Sequence, residues 1–220
     1  MNILRVKGIE KDFLIEPGKI YCINIENRLY YLNLLNSFVN NNTDNIFYIE
    51  DNKSIEFYKK AICITDIFNI SPNSKKIINS LYKRINDEII DQNSKENIQL
   101  INKNIIEMLE NISLNLNLSV EYELDLDISK ILSLYKFTFK EDQEDLKTKI
   151  ITYIKANMEI CNLSFVVMFN ILQLLDDSDL ELVQKELELL NISIININFV
   201  GKSRRNSIDY LTIDDDLCEF

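Results

Sequence analysis

The sequence predicts an α/β protein with a helical insertion. Three observations carry that expectation. The runs "KIYCINI", "LSFVVMF" and "ISIININFV" are long and apolar, the pattern of strands buried in a sheet. Helical patterns alternate with strands at both ends of the chain, the rhythm of an α/β layer. Between these ends, after Asp66, the pattern turns wholly helical.

Each element follows in order. "NILRVKGIEKDFLIEPGK" alternates and holds turn residues at Gly8 and Pro17-Gly18, which predicts a small hairpin or meander. "KIYCINI" predicts a buried strand and "NRLYYLNLLNSFV" the helix after it. "NIFYIED" and "KKAICITDI" predict two further strands of the same layer. Ser71-Pro72 reads as the cap and first residue of a helix with an apolar stripe at Ile78, Leu81, Ile85 and Ile89. Ser94 reads as the cap of a second helix. Its residues Ile98, Ile101, Ile105, Met108 and Ile112 form a heptad seam, suited to packing on another helix at a shallow angle. Residues 70–117 thus read as a projecting helical pair or, alternatively, as helices covering the sheet. "ISKILSLYKF" predicts a short helix, and 142–160 an amphipathic one with Leu146, Ile150, Tyr153 and Ile154 inward. A strand, "LSFVVMFNIL", leads to a helix with a Ser178–Glu181 capping box. "ISIININFV" and a short strand in "SIDYLTIDDDLCEF" close the chain.

Composition narrows the chemistry. With 220 residues and 46% hydrophobic content, the chain can bury a sizeable core. It contains no histidine, which excludes a Ser-His-Asp triad, a Cys-His pair and any His-containing zinc site. The four cysteines, Cys22, Cys63, Cys161 and Cys218, form no CxxC and read as buried free thiols. No apolar span approaches 18 residues and no signal peptide is visible, so the expected place is the cytoplasm, away from membranes.

A nucleotide-binding sheet would hold a glycine-rich phosphate loop after its first strand. The turn here is "NIENRL", without glycine and with a repelling Glu26, which speaks against ATP hydrolysis by this route. Gly201-Lys202 follows a late strand and has no partner glycine.

The stretch "EYELDLDISK" places Glu121, Glu123, Asp125 and Asp127 at alternate positions. As a strand it would show four carboxylates on one face. Two readings are open: a solvated edge strand guarded by its charges, or a cation site. Ca2+ accepts six to eight oxygens. Same-face carboxylates about 7 Å apart would need further oxygens, from elsewhere or from another subunit.

The net charge of −11 argues against nucleic acid when taken alone, but recognition depends on where the charges lie. Lys76 and Lys83 stand seven residues apart on one helical face, with Arg84 beside them. "GKSRR" adds Lys202, Arg204 and Arg205 without an intervening acid. No aromatic residues interleave, so the pattern suits phosphate contacts rather than base readout. A solvated surface is the alternative.

Together these stretches resemble the DNA-end-binding ring protein of type II-A CRISPR systems. The similarity rests on "ICITDIFNISPNSKKIINSLYKRINDEI", "VEYELDLDIS", the late strand–helix–strand "LSFVVMFNILQLLDDSDLELVQKELELLNISIININFV" and "IDYLTIDDD". The resemblance implies an α/β head, residues 1–66 and 137–220, with a mostly parallel sheet. That sheet would be a degenerate P-loop or Rossmann-like fold. An α-helical leg, residues 67–136, would be inserted in it. It further implies a homotetrameric ring that accepts double-stranded DNA ends without sequence preference. The metal would be Ca2+ on Glu121, Glu123, Asp125 and Asp127. Lys76, Lys83, Arg84, Lys202, Arg204 and Arg205 become candidates to line the hole. The implied partners are the CRISPR integrase proteins and the RNA-guided nuclease during spacer acquisition, and no catalysis is expected. Two other classes compete: a protein-only scaffold, and a nuclease holding paired Mg2+ or Mn2+ about 4 Å apart. The nuclease reading is weakened by the missing histidine.

Overall fold

The computed structural model describes residues 2–89, 91–116, 119–140, 145–199 and 209–220. The chain opens with strands β1 (Asn2–Val6), β2 (Phe13–Leu14) and β3 (Ile20–Ile25), then helix α1 (Arg28–Val39). Strands β4 (Ile46–Glu50), β5 (Lys53–Ile55) and β6 (Ala61–Ile64) follow. Four helices come next: α2 (Lys75–Arg84), α3 (Gln92–Leu114), α4 (Ile128–Leu134) and α5 (Leu146–Cys161). Strand β7 (Phe165–Phe169), helix α6 (Asp177–Leu190) and strands β8 (Ser193–Phe199) and β9 (Asp209–Ile213) complete it.

The chain divides into two compact units, residues 1–72 with 141–220, and residues 73–140. The expected boundaries, after 66 and after 136, fall somewhat earlier. Ile67 and Ile70 are buried in the first unit's core, which carries that unit past Asp66. The Phe137 and Phe139 carbonyls accept from Tyr82 and Asn73, which holds 137–140 in the second unit.

In the first unit a five-stranded parallel sheet runs in the order β6-β7-β8-β3-β9. This is the expected α/β layer. Its central strands are the long apolar runs: every residue of β3 and β7 is buried. A strand flanked on both faces can be apolar throughout. A second sheet, order β2-β1-β4-β5, is antiparallel. β4 belongs there, with Ile46 opposite Val6 and Glu50 opposite Asn2, and not to the α/β layer as expected. Its burial shows why: Ile46 and Tyr48 are buried while Phe47 between them is exposed, the signature of a one-sided strand.

The parallel sheet thus has a core on each face. On one, Leu4, Phe13 and Tyr48 of the antiparallel sheet join Phe38 of α1 against Ile23, Phe165 and Ile195. On the other, Ile150 and Ile154 of α5 and Val183 and Leu187 of α6 cover Val166, Met168 and Ile194. Each such side chain contributes about 1.5–3 kcal/mol when fully buried. The helix starts use aspartate. Asp145 caps α5 by accepting from the Thr148 N–H at 2.8 Å. Asp176 caps α6 through the Asp179 N–H at 2.8 Å, so Ser178 is not the cap; its hydroxyl donates to Asp176.

The second unit is helical. α2 begins at Lys75 with Ser74 in the cap position, three residues beyond the expected Ser71-Pro72 start. Its buried face is Ile77, Leu81 and Tyr82 rather than the stripe through Ile78 and Ile85. A π-helical turn, Ile85–Ile89, follows and breaks the 3.6-residue register. Asp91, not Ser94, caps α3: it accepts from the Ser94 N–H at 2.7 Å. No described side chain of α3 is fully buried, and Ile101, Met108 and Ile112 of the seam are about half exposed. Ile98 and Ile105 of the seam are partly covered.

No helix of the described residues is long and apolar enough to cross a membrane. The cysteines are free: Cys22 is buried, Cys63 and Cys161 are partly covered, and Cys218 is exposed, so burial does not extend to all four. Burial raises the Cys22 thiol to about 11 and the Cys63 thiol to about 12.

Candidate nucleic-acid interface and acidic segment

α2 presents the candidate bases because its other face is anchored. Asn73 exchanges two hydrogen bonds with the Phe139 backbone, at 2.9 and 2.8 Å. The Tyr82 hydroxyl donates to the Phe137 carbonyl at 3.1 Å. With Ile77, Leu81 and Tyr82 buried, Lys76 and Lys83 are left exposed. Seven residues separate them, which places the two ammonium stems about 10 Å apart along the helix. Neither makes an ion pair among the described residues. Arg84 differs: its Nε donates to Glu88 at 3.0 Å, so part of its charge is already opposed. Lys202, Arg204 and Arg205 lie outside the described residues.

The acidic segment is not a strand. Residues 119–127 are irregular, and the Leu124 carbonyl accepts from the Asn102 side chain of α3 at 2.8 Å instead of from a neighbouring strand. The four acids are exposed and differ in what they do. Asp127 caps α4, accepting from the Ser129 and Lys130 N–H groups at 2.8 and 3.4 Å. Glu123 pairs with Lys130 at 3.1 Å and holds that ammonium's pKa above its ordinary value. Glu121 and Asp125 make no hydrogen bond or ion pair among the described residues and stand in solvent. Among the described residues, no three acidic or cysteine side chains gather closely enough to hold a metal ion. Carboxylates suit a hard cation. One chain, however, supplies too few of them at one point, with Asp127 and Glu123 already engaged.

At the carboxyl end of the parallel strands, where α/β sheets hold their ligands, the space is filled by amides and acids. Asn198 donates to Asn24 at 3.0 Å and Asn196 donates to Asn198 at 2.8 Å, all three buried. Asn27 caps α1 through the Tyr30 N–H at 2.9 Å, and its amide donates to the Asp215 carbonyl at 2.8 Å. An anion at the α1 N-terminus would displace that cap and meet Glu26 and Asp214–Asp216. Sequence reasoning found the missing glycine loop but missed this amide ladder; "CINI" and "ININF" show it only as asparagines inside strands.

A family model described as CRISPR-associated protein (Cas_Csn2) matches residues 38–217. The chain belongs to this family. Its members are CRISPR-associated proteins, and the match spans both units of the chain. No curated protein matches the chain. Among solved structures, this chain is similar to a nucleotide-free ATP-binding cassette from an ABC transporter, at 17% identity and a TM-score of 0.47. That match covers 100% of this chain and 91% of the other. It is also similar to the ADP conformation of another ATP-binding cassette, at 15% identity and a TM-score of 0.45, covering 96% and 87%. A third is an ATP-binding protein of a putative ABC transporter from Pyrococcus furiosus, at 14% identity and a TM-score of 0.41, covering 98% and 97%.

Proposed function

We propose that this CRISPR-associated protein is a non-catalytic clamp for double-stranded DNA ends. It acts during acquisition of new spacers, as a homotetrameric ring that depends on Ca2+, beside the integrase proteins and the RNA-guided nuclease. The observation that carries the DNA reading is the exposed pair Lys76 and Lys83, unopposed by acids in a chain of net charge −11. Four copies would place eight such lysines around one hole. Focusing there raises the local field while the outer faces stay acidic. The open α3 seam supports assembly, since half-exposed isoleucine and methionine at heptad spacing favour a second helix. For Ca2+, Glu121 and Asp125 are the donors in hand, with Glu123 and Asp127 available only if the Lys130 pair and the α4 cap open. A second copy would supply the remaining oxygens.

The test is binding of Lys76→Glu/Lys83→Glu to two linear duplexes of unrelated sequence over a salt series. The double variant should bind both roughly 30-fold more weakly or worse, with a flatter salt dependence. Unchanged binding would remove the α2 face from the interface. A cleavage assay with Mg2+ or Mn2+ tests the absence of catalysis, and cut products would reject it.

A further inference from the structure

Neither group of candidate DNA-binding residues is interleaved with aromatics, but another stretch is. "YKFTFK", residues 135–140, alternates Tyr135, Phe137 and Phe139 with Lys136, Thr138 and Lys140. Cations set among aromatic rings suit single-stranded nucleic acid, which needs both a charged track and stacking surfaces. We propose that the turn at the end of α4 binds unpaired nucleotides, with Tyr135 stacked on a base and Lys136 at a phosphate. The site rests on the DNA-binding reading above and extends it: α2 holds the duplex, and the turn holds unpaired nucleotides at its end.

Backbone geometry turns these side chains outward. The Lys136 N–H donates to the Ser133 carbonyl at 3.0 Å, and the Phe137 N–H donates to the Leu132 carbonyl at 2.9 Å. That pair of bonds closes a helix through one left-handed residue, usually glycine. Here the residue is Lys136, with φ of 49°. Tyr135 is left 79% exposed and Phe137 51% exposed. The turn is not loose, because the Phe137 and Phe139 backbones are hydrogen-bonded to Tyr82 and Asn73 at α2.

Charge selects a polyanion. Residues 73–86, which include α2, hold Lys75, Lys76, Lys83 and Arg84 and no acid. Residues 128–140 hold Lys130, Lys136 and Lys140 and no acid. These are the two stretches that the hydrogen bonds to Tyr82 and Asn73 join, in a chain of net charge −11. Glu123 opposes Lys130 and Glu88 opposes Arg84. The Lys136 ammonium is exposed and makes no ion pair among the described residues. The same turn on a second copy would meet it with like charge, whereas a phosphate backbone matches it.

Stacking selects the unpaired form. Inside a duplex each base is covered on both faces by its neighbours. An unpaired base offers a free face, and any base can use it, so the contact carries no sequence preference.

The chain contains no tryptophan, so Tyr135→Trp installs a single reporter. The full-length variant is titrated in Ca2+ with a blunt linear duplex, with the same duplex carrying thymidine overhangs, and with oligothymidine. The overhang duplex should quench the reporter saturably and bind roughly tenfold more tightly than the blunt one, which should bind without quenching. Tyr135→Ala should lose that tenfold and keep the blunt-duplex affinity, while Tyr135→Phe, which keeps the ring, should retain it. Equal affinity for blunt and overhang duplex in the wild type, or an unquenched reporter, overturns the proposal. Lower mass of Tyr135→Ala by light scattering also overturns it and assigns the turn to contact between copies. Quenching by oligothymidine without any binding of the blunt duplex would reject the duplex clamp and leave the stacking site standing, so the two readings fail separately.

Discussion

The two units of this chain satisfy their apolar residues in opposite ways. In the first, strands β3, β7 and β8 lie between two cores, and Phe165, Val166 and Ile195 are fully buried. In the second, the longest helix of the described residues, α3, has no fully buried described side chain. The first unit carries its stability within one copy. The second leaves apolar surface for something else to cover, and Lys76, Lys83, Arg84 and the acidic candidates sit on that same unit. The proposed assembly would use this division: one part that folds on its own core, and one whose apolar seam a neighbouring copy would cover.

The contrast can be broken at several points. The largest effect belongs to the sheet core. Phe165→Ala removes a ring that stacks at 5.1 Å from Tyr48, and should cost about 3–5 kcal/mol in urea unfolding. Ile101→Ala on the α3 seam should change the unfolding of a dilute single copy by less than about 1 kcal/mol. A cost there as large as in the core would mean that α3 is covered within one chain. Next, Ile101→Glu with Met108→Glu should lower the mass seen by light scattering while the far-ultraviolet circular dichroism holds. An unaltered mass would take the seam out of the assembly.

A smaller effect is expected in the acidic segment. Glu121→Gln with Asp125→Asn should lower Ca2+ affinity without loosening α4, because Asp127 remains as its cap. Asp127→Asn keeps a capping side chain, so it separates capping from metal binding. Full retention of Ca2+ affinity in the Glu121/Asp125 variant would place the ion elsewhere. The smallest effect is chemical. At pH 8, iodoacetamide should label Cys218 and spare Cys22 and Cys63, whose thiols are raised to about 11 and about 12 and so stay protonated. Rapid labelling of Cys22 in the folded protein would show that the sheet core opens.

The same contrast explains what was legible in the sequence. Strands buried on both faces announce themselves as apolar runs, so β3, β7 and β8 stand out in "KIYCINI", "LSFVVMF" and "ISIININFV". The inward face of α5 was legible for the same reason, at Ile150 and Ile154. β4 misled because "NIFYIED" is as apolar as a central strand, and only its pairing with β1 reveals a separate sheet. The helix starts misled because "DQNS" and "DDSD" each offer several capping side chains; a carboxylate accepts more strongly and also meets the helix dipole. The acidic row misled most. Strict alternation at 121–127 suggested a strand, but a strand needs a pairing partner, and the described neighbours there are α3 and α4. The basic face of α2 was legible at Lys76 and Lys83, whereas the Arg84–Glu88 pair across the π-helical turn was not.

The measurement that most directly tests the clamp is a gel-shift titration on linear and closed-circular duplex of one sequence, with Ca2+ and with chelator. A ring that takes DNA through its ends should bind the linear form only, and only with Ca2+. Equal binding to both forms would contradict threading and leave a basic surface patch, and no binding to either would reject the DNA clamp altogether.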